Sequence, residues 1–142
     1  MEKNQTQILC RNTYKYMENG YHCSEAIFLA LGEHYLREVN PLALRLSTPF
    51  AGGIGGTRLE TCGALTGGIL LIGALCGRAD GQTNDERCLA LAVAFRERFQ
   101  QEFGFTTCQA LKDNWVGRPG QPDCKTLTER TAGLLIAILE AD

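Results

Sequence analysis

Residues 83–104 read TNDERCLALAVAFRERFQQEFG. Cys88, Leu91, Ala92, Phe95, Phe99 and Phe103 recur at intervals of three and four, the spacing that gathers side chains on one face of a helix. Thr83 followed by Glu86 matches a capping box, and Gly104 supplies the stop. The stretch predicts a long amphipathic helix, and helical patterning continues outward from it in both directions.

Upstream, Thr57 with Glu60 repeats the capping-box pattern and predicts a helix carried through Leu70, Leu71 and Ile72 to Gly77. Gly52-Gly53-Ile54-Gly55-Gly56 before it is a loop, because each glycine in a helix costs about 1 kcal/mol relative to alanine. Asn40 then Pro41 is a capping residue followed by a proline at the first helical position, so a short helix runs through Leu42 and Leu46 until Pro49 limits it. Residues 22–37 carry an apolar face of Ala26, Ile27, Ala30 and Leu31, and residues 5–17 align Cys10, Tyr14 and Met17 before Gly20. Downstream, a short turn begins near Thr106 and Cys108. A loop over 114–122 follows, and Asp123 caps a last helix over 124–140 with Leu127, Leu134, Leu135, Ile138 and Leu139 on its apolar face. No stretch alternates with period two. The expected architecture is all-α, an irregular bundle of five to six helices, with residues 1–142 forming a single domain.

The 44% hydrophobic content of the 142 residues suffices for one core without covalent staples. The net charge of -2, with interspersed signs, gives no basic field for a nucleic-acid backbone. The most apolar stretch, 62–77, falls short of the roughly 20 residues that cross a bilayer, so no membrane association is expected. The first residues are polar and lack the apolar run of a signal peptide, which places the chain in the cytoplasm, where ordinary thiols stay reduced.

Against that background, seven cysteines are the chemical signal. Cys23, Cys62, Cys108 and Cys124 each fall beside a helix-start signal. Unpaired backbone N–H groups and the helix dipole there favour the thiolate, the form that attacks disulfides and ligates metals. Cys124 follows the cap Asp123; Cys108 follows Thr106 and Thr107; Cys23 stands next to His22, a proton acceptor or positive charge. Cys62 lies a turn inside its helix if Thr57 is the cap, or at its start if Thr61 is. Cys10, Cys76 and Cys88 lie in apolar stripes or at a helix end and are assigned to the core. Between the four candidates stand 38, 45 and 15 residues (24–61, 63–107 and 109–123), without the close Cys-x-x-Cys pairs of zinc ribbons or thioredoxin-like sites. Any shared site is therefore assembled by tertiary packing. Gly63, Ala64 and Gly67 add small residues at helical spacing, room for another backbone or for a bulky inorganic group.

Read together, Cys23 in Tyr21-His22-Cys23-Ser24-Glu25-Ala26, the block Cys62-Gly63-Ala64-Leu65-Thr66-Gly67, and then Cys108 and Cys124 resemble the C_GCAxxG_C_C family of redox-active proteins, from about Gly20 to the C-terminus. Carried over by position, the redox cysteines are Cys23, Cys62, Cys108 and Cys124. A similar domain accompanies haem and an iron-sulfur type centre in split-Soret cytochrome c, so the resemblance implies electron transfer. The chain has no Cys-x-x-Cys-His attachment site, which speaks against covalent haem.

Three functions follow as expectations. In the first, the four thiolates hold an iron-sulfur cluster or comparable iron centre that exchanges electrons with an unidentified partner. In the second, the thiols work without metal as reversible pairs, Cys108 with Cys124 or Cys23 with Cys62, with His22 moving protons. In the third, the chain is a binding module whose cysteines only pack. Whether the protein is an enzyme stays open, and the glycine-rich helix offers a face for a homodimer.

Overall fold

The computed structural model describes residues 1–141. Among them are seven α-helices and no strand: α1 (Lys3–Glu18), α2 (Cys23–Tyr35), α3 (Pro41–Ser47), α4 (Gly63–Cys76), α5 (Glu86–Phe103), α6 (Cys108–Asn114) and α7 (Cys124–Leu139). A single 3-10 turn, Thr48–Phe50, follows α3. The helix count exceeds the expected five to six because the turn foreseen near Cys108 continues as α6, running from Thr107 to Trp115 at its caps. No helix among the described residues is long and apolar enough to cross a membrane.

The local signals act largely as expected. Asn40 Oδ1 accepts the Leu42 N–H at 2.8 Å and starts α3, and Asp123 Oδ1 accepts the Thr126 N–H at 2.8 Å and starts α7. Gly104 ends α5 in the left-handed conformation, φ 83°. In α5 the N-cap is Asp85, not Thr83, and it makes no side-chain cap hydrogen bond; Asn84 Oδ1 just before it accepts the Glu86 N–H at 2.8 Å.

The core lies between α2, α4, α5 and α7, with α1 laid over α2 and α7. Ile27, Leu31, Leu65, Leu71, Ile72, Phe95, Phe99 and Leu135 are fully buried, each contributing on the order of 2 kcal/mol through burial. An edge-to-face run from Phe99 to Phe103 (centroids 4.7 Å apart) to Trp115 (5.4 Å) ties α5 to α6, and the Arg130 guanidinium of α7 sits over the Trp115 ring. The glycines of α4 bring α2 close: a Cβ on Gly67 would stand 2.5 Å from Ser24 O and 2.7 Å from Ile27 Cγ2. On Gly68 it would strike the Phe95 ring at 2.5 Å.

The start of α4 departs from the sequence reading. Thr57 and Glu60 do not form a capping box there; the helix begins at Gly63, with Cys62 as its N-cap. The cause is the preceding loop. Gly52, Gly53, Ile54, Gly55 and Gly56 all have φ between 60° and 73°, a run of left-handed backbone. It is closed by Gly55 N–H donating to Pro49 O and Arg58 N–H donating to Gly52 O, both at 2.8 Å. Left-handed backbone costs roughly 1–2 kcal/mol for a residue with a Cβ, so four of the five positions are affordable only as glycine. Within that loop Glu60 N–H is spent on Gly53 O, and Thr57 Oγ1 donates to Gly53 O and Ile54 O rather than serving a helix start.

Candidate functional site

Four helix starts meet at one end of the bundle. An isolated antiparallel bridge joins Thr61 to Thr107: Cys62 N–H donates to Thr106 O at 2.8 Å, and Cys108 N–H donates to Glu60 O at 2.9 Å. This short ladder sets Cys62, the N-cap of α4, beside Cys108, the first residue of α6. The first residue of α2, Cys23, is pressed against α4, since a Cβ on Gly63 would collide with Cys23 Sγ. Cys124, the first residue of α7, closes the group. All four line a single cavity of about 200 Å³, together with His22, Gly52, Gly63, Leu111, Lys112 and Leu127 among others. Cys62 and Cys108 are buried, at 8% and 7% exposure; Cys23 and Cys124 are half-buried.

The surroundings of the sulfurs supply donors. Backbone N–H groups of Gly52 and Ser24 reach Cys23, and those of Ala64 and Leu65 reach Cys62. Lys112 Nζ stands 3.6 Å from Cys124 Sγ. Burial outweighs these donors and pushes the thiols of Cys23, Cys62 and Cys108 above their ordinary value of 9.0. Charge on one sulfur disfavours charge on the next: Cys124 and Cys108 act on Cys23, Cys23 and Cys108 on Cys62, and Cys124 on Cys108. On Cys108 the positive charges of Lys112 and Arg58 pull the other way. Without a cation, burial thus favours the protonated thiol at Cys23, Cys62 and Cys108. Deprotonated, such thiols are soft ligands, and metal binding competes with their protons.

Among the described residues no three His, Cys, Asp or Glu side chains are arranged around a single ion. A lone tetrahedral metal needs every sulfur about 2.3 Å from one point. A cavity of about 200 Å³ exceeds the roughly 30 Å³ share of one water several times over.

The remaining expectations separate. Gly63 lines the cavity, whereas Ala64 is fully buried in the core and does not line it, only its N–H reaching Cys62. Gly67 lies off the cavity beneath Ser24 and Ile27, where it serves the α2–α4 approach. His22 stands at the rim as the N-cap of α2, its N–H donating to Glu25 Oε1 at 2.9 Å. Lys112 was not foreseen; its place four residues after Cys108, one helical turn on, was the available signal. Cys10, Cys76 and Cys88 pack against the core but keep part of their surface exposed, so the assignment to the core holds only in part. Burial and Glu129 push the Cys10 thiol up to about 11.

The fold and the site define a helical protein that gathers distant cysteines at the convergence of four helix starts. Within that class, the chain belongs to the C_GCAxxG_C_C family, described as "putative redox-active protein", whose model matches residues 21–138. That span covers all four cavity cysteines. No curated protein and no solved structure matches the chain.

Proposed function

We propose that Cys23, Cys62, Cys108 and Cys124 hold an iron-sulfur cluster or comparable iron centre and that the protein passes electrons to and from a partner. The observation that carries this reading is the shared cavity: four thiols, separated by as many as 45 residues (63–107), line one space. When bound, such a centre supplies one-electron exchange. The chain's own groups ligate and tune it. The N–H groups of Gly52, Ser24, Ala64 and Leu65 donate to two of the sulfurs, and such bonds stabilise negative charge on sulfur and raise the reduction potential. Lys112 adds positive charge beside Cys124, and Leu111 and Leu127 limit water. The half-buried Cys23 and Cys124 mark the side nearest solvent, where a partner would approach.

The test is anaerobic purification with iron and sulfide analysis and a visible spectrum, before and after reconstitution with ferrous iron and sulfide. The expected result is a coloured protein with iron and sulfide in comparable amounts, and loss of both in Cys62→Ser. A colourless protein with intact thiols and no response to reconstitution would overturn the reading.

A second reading is metal-free exchange between the thiols, favoured by the Lys112–Cys124 contact, since an ammonium beside a sulfur promotes its attack on disulfides. It predicts a Cys108–Cys124 or Cys23–Cys62 bridge on mild oxidation, detectable by mass spectrometry of alkylated protein. Neither reading assigns a substrate.

A further inference from the structure

At the opposite end of α4 a second pair of cysteines meets. Cys76 is the last residue of α4 and Cys88 the third of α5, and Cys88 is close enough that, after burial, it is the next influence raising the Cys76 thiol. Both keep part of their surface exposed. Cys76 also donates to Ile72 O at 3.2 Å. The turn between them is fastened: Arg78 pairs with Asp85 at 3.6 Å and donates to Gly81 O at 3.0 Å and Thr83 O at 3.2 Å. Asp80 Oδ1 accepts from the N–H groups of Gln82 (2.9 Å) and Thr83 (2.8 Å). The approach of the two helix ends that carry these cysteines therefore does not depend on chance closure of a loose loop. With 14 residues in α4 at about 1.5 Å each, the pair stands roughly 20 Å from Cys62, too far to share ligands with the four-cysteine cavity.

We propose that Cys76 and Cys88 form a second, peripheral redox site: a dithiol that low-molecular-weight disulfides oxidise reversibly to an intramolecular disulfide. Cys88 is the attacking sulfur, because the first turn of α5 favours negative charge, whereas Cys76 ends α4 among carbonyls without helix partners. Its sulfur bonds to one sulfur of the small disulfide, whose S–S bond breaks and releases the other half as a thiolate. That thiolate takes the proton of Cys76. The sulfur of Cys76 then attacks Cys88 Sγ, forming the Cys76–Cys88 bond and expelling the second half. Two electrons pass from the cysteine pair to the small disulfide, and the two protons leave on the two product thiols. The reverse reaction with the small thiol restores the pair.

The test uses the full chain with oxidised glutathione as the probe, followed by alkylation, trypsin and mass spectrometry without reduction. Cleavage after Arg58, Arg78, Arg87 and Arg96 places Cys76 in peptide 59–78 and Cys88 in peptide 88–96. The expected result is a covalent link between these peptides that grows with the ratio of oxidised to reduced glutathione, disappears with dithiothreitol, and is lost in Cys76→Ser and in Cys88→Ser. Because peptide 59–78 also contains Cys62, survival of the link in Cys76→Ser would assign it to Cys62 and overturn the proposal. Alkylation of Cys76 and Cys88 in the native chain at every glutathione ratio, with no linked peptide, would also overturn it, whatever the variants do.

Discussion

The two ends of α4 carry the same residue in opposite settings. At the N-terminal end Cys62 is buried, caps the helix, receives N–H groups from Ala64 and Leu65, and shares a cavity with three more sulfurs. At the C-terminal end Cys76 is half-exposed, donates to Ile72 O and has Cys88 as its neighbour among the cysteines. A helix presents donors at one end and acceptors at the other, so identical side chains acquire different chemistry from position alone. The first end gathers four sulfurs in one buried cavity, whereas the second leaves Cys76 near the surface beside the start of α5.

Glycine substitutions give the sharpest contrast between the ends. Gly63→Ala drives a methyl into Cys23 Sγ and to 3.2 Å from Phe50 O, whereas Gly73, near the other end, has nothing within 4 Å of its Cβ position. Denaturant melts should show Gly63→Ala destabilised by about 1–3 kcal/mol, with the packing of Cys23 disturbed. Gly73→Ala should gain about 0.5–1 kcal/mol, because it relieves the entropy cost of glycine in an exposed helix. Equal effects at the two positions would show that the N-terminal end is not tightly packed.

Alkaline pH acts next. Cys10, pushed up to about 11, and Cys23, Cys62 and Cys108, all raised by burial, bind their protons more tightly folded than unfolded. The unfolded chain gives up these protons first, so the stability they contribute is fully present below their ordinary value of 9.0 and is lost as pH rises through the folded values. Thermal melts of metal-free protein should hold steady from pH 7 to about pH 9 and then fall. The fall should lessen once the cavity thiols are ligated by metal, because ligated sulfur carries no proton to lose.

A smaller effect is expected at the rim. Lys112→Ala removes the ammonium 3.6 Å from Cys124 Sγ. Alkylation of Cys124 should slow by a few-fold while Cys88, at the far end, is unchanged, with stability altered by less than about 1 kcal/mol. Equal slowing at both cysteines would point to a general change in the fold.

Much of this arrangement could be read in the chain. The α5 stripe of Phe95, Phe99 and Phe103 fixed that helix, and all three side chains are buried. Asn40-Pro41 and Asp123 marked helix starts because a side-chain cap is local chemistry, decided within three residues. What escaped was long-range. The Thr61–Thr107 bridge and the left-handed turn over 52–56 displace the start of α4 from Thr57 to Gly63, and neither leaves a periodic trace. The contact between Cys76 and Cys88 was hidden for the same reason. Each sits in an apolar stripe, and only the turn joining α4 to α5 brings them together.

The account rests on the four sulfurs acting as one unit, distinct from the other three, and cysteine footprinting tests that directly. Protein reconstituted anaerobically with ferrous iron and sulfide, then alkylated and mapped by mass spectrometry against the metal-free form, should show Cys23, Cys62, Cys108 and Cys124 protected together. Cys10, Cys76 and Cys88 should keep their metal-free reactivity. Protection of fewer than three of the four, or protection that extends equally to Cys76 and Cys88, would contradict a shared centre at the N-terminal end of α4.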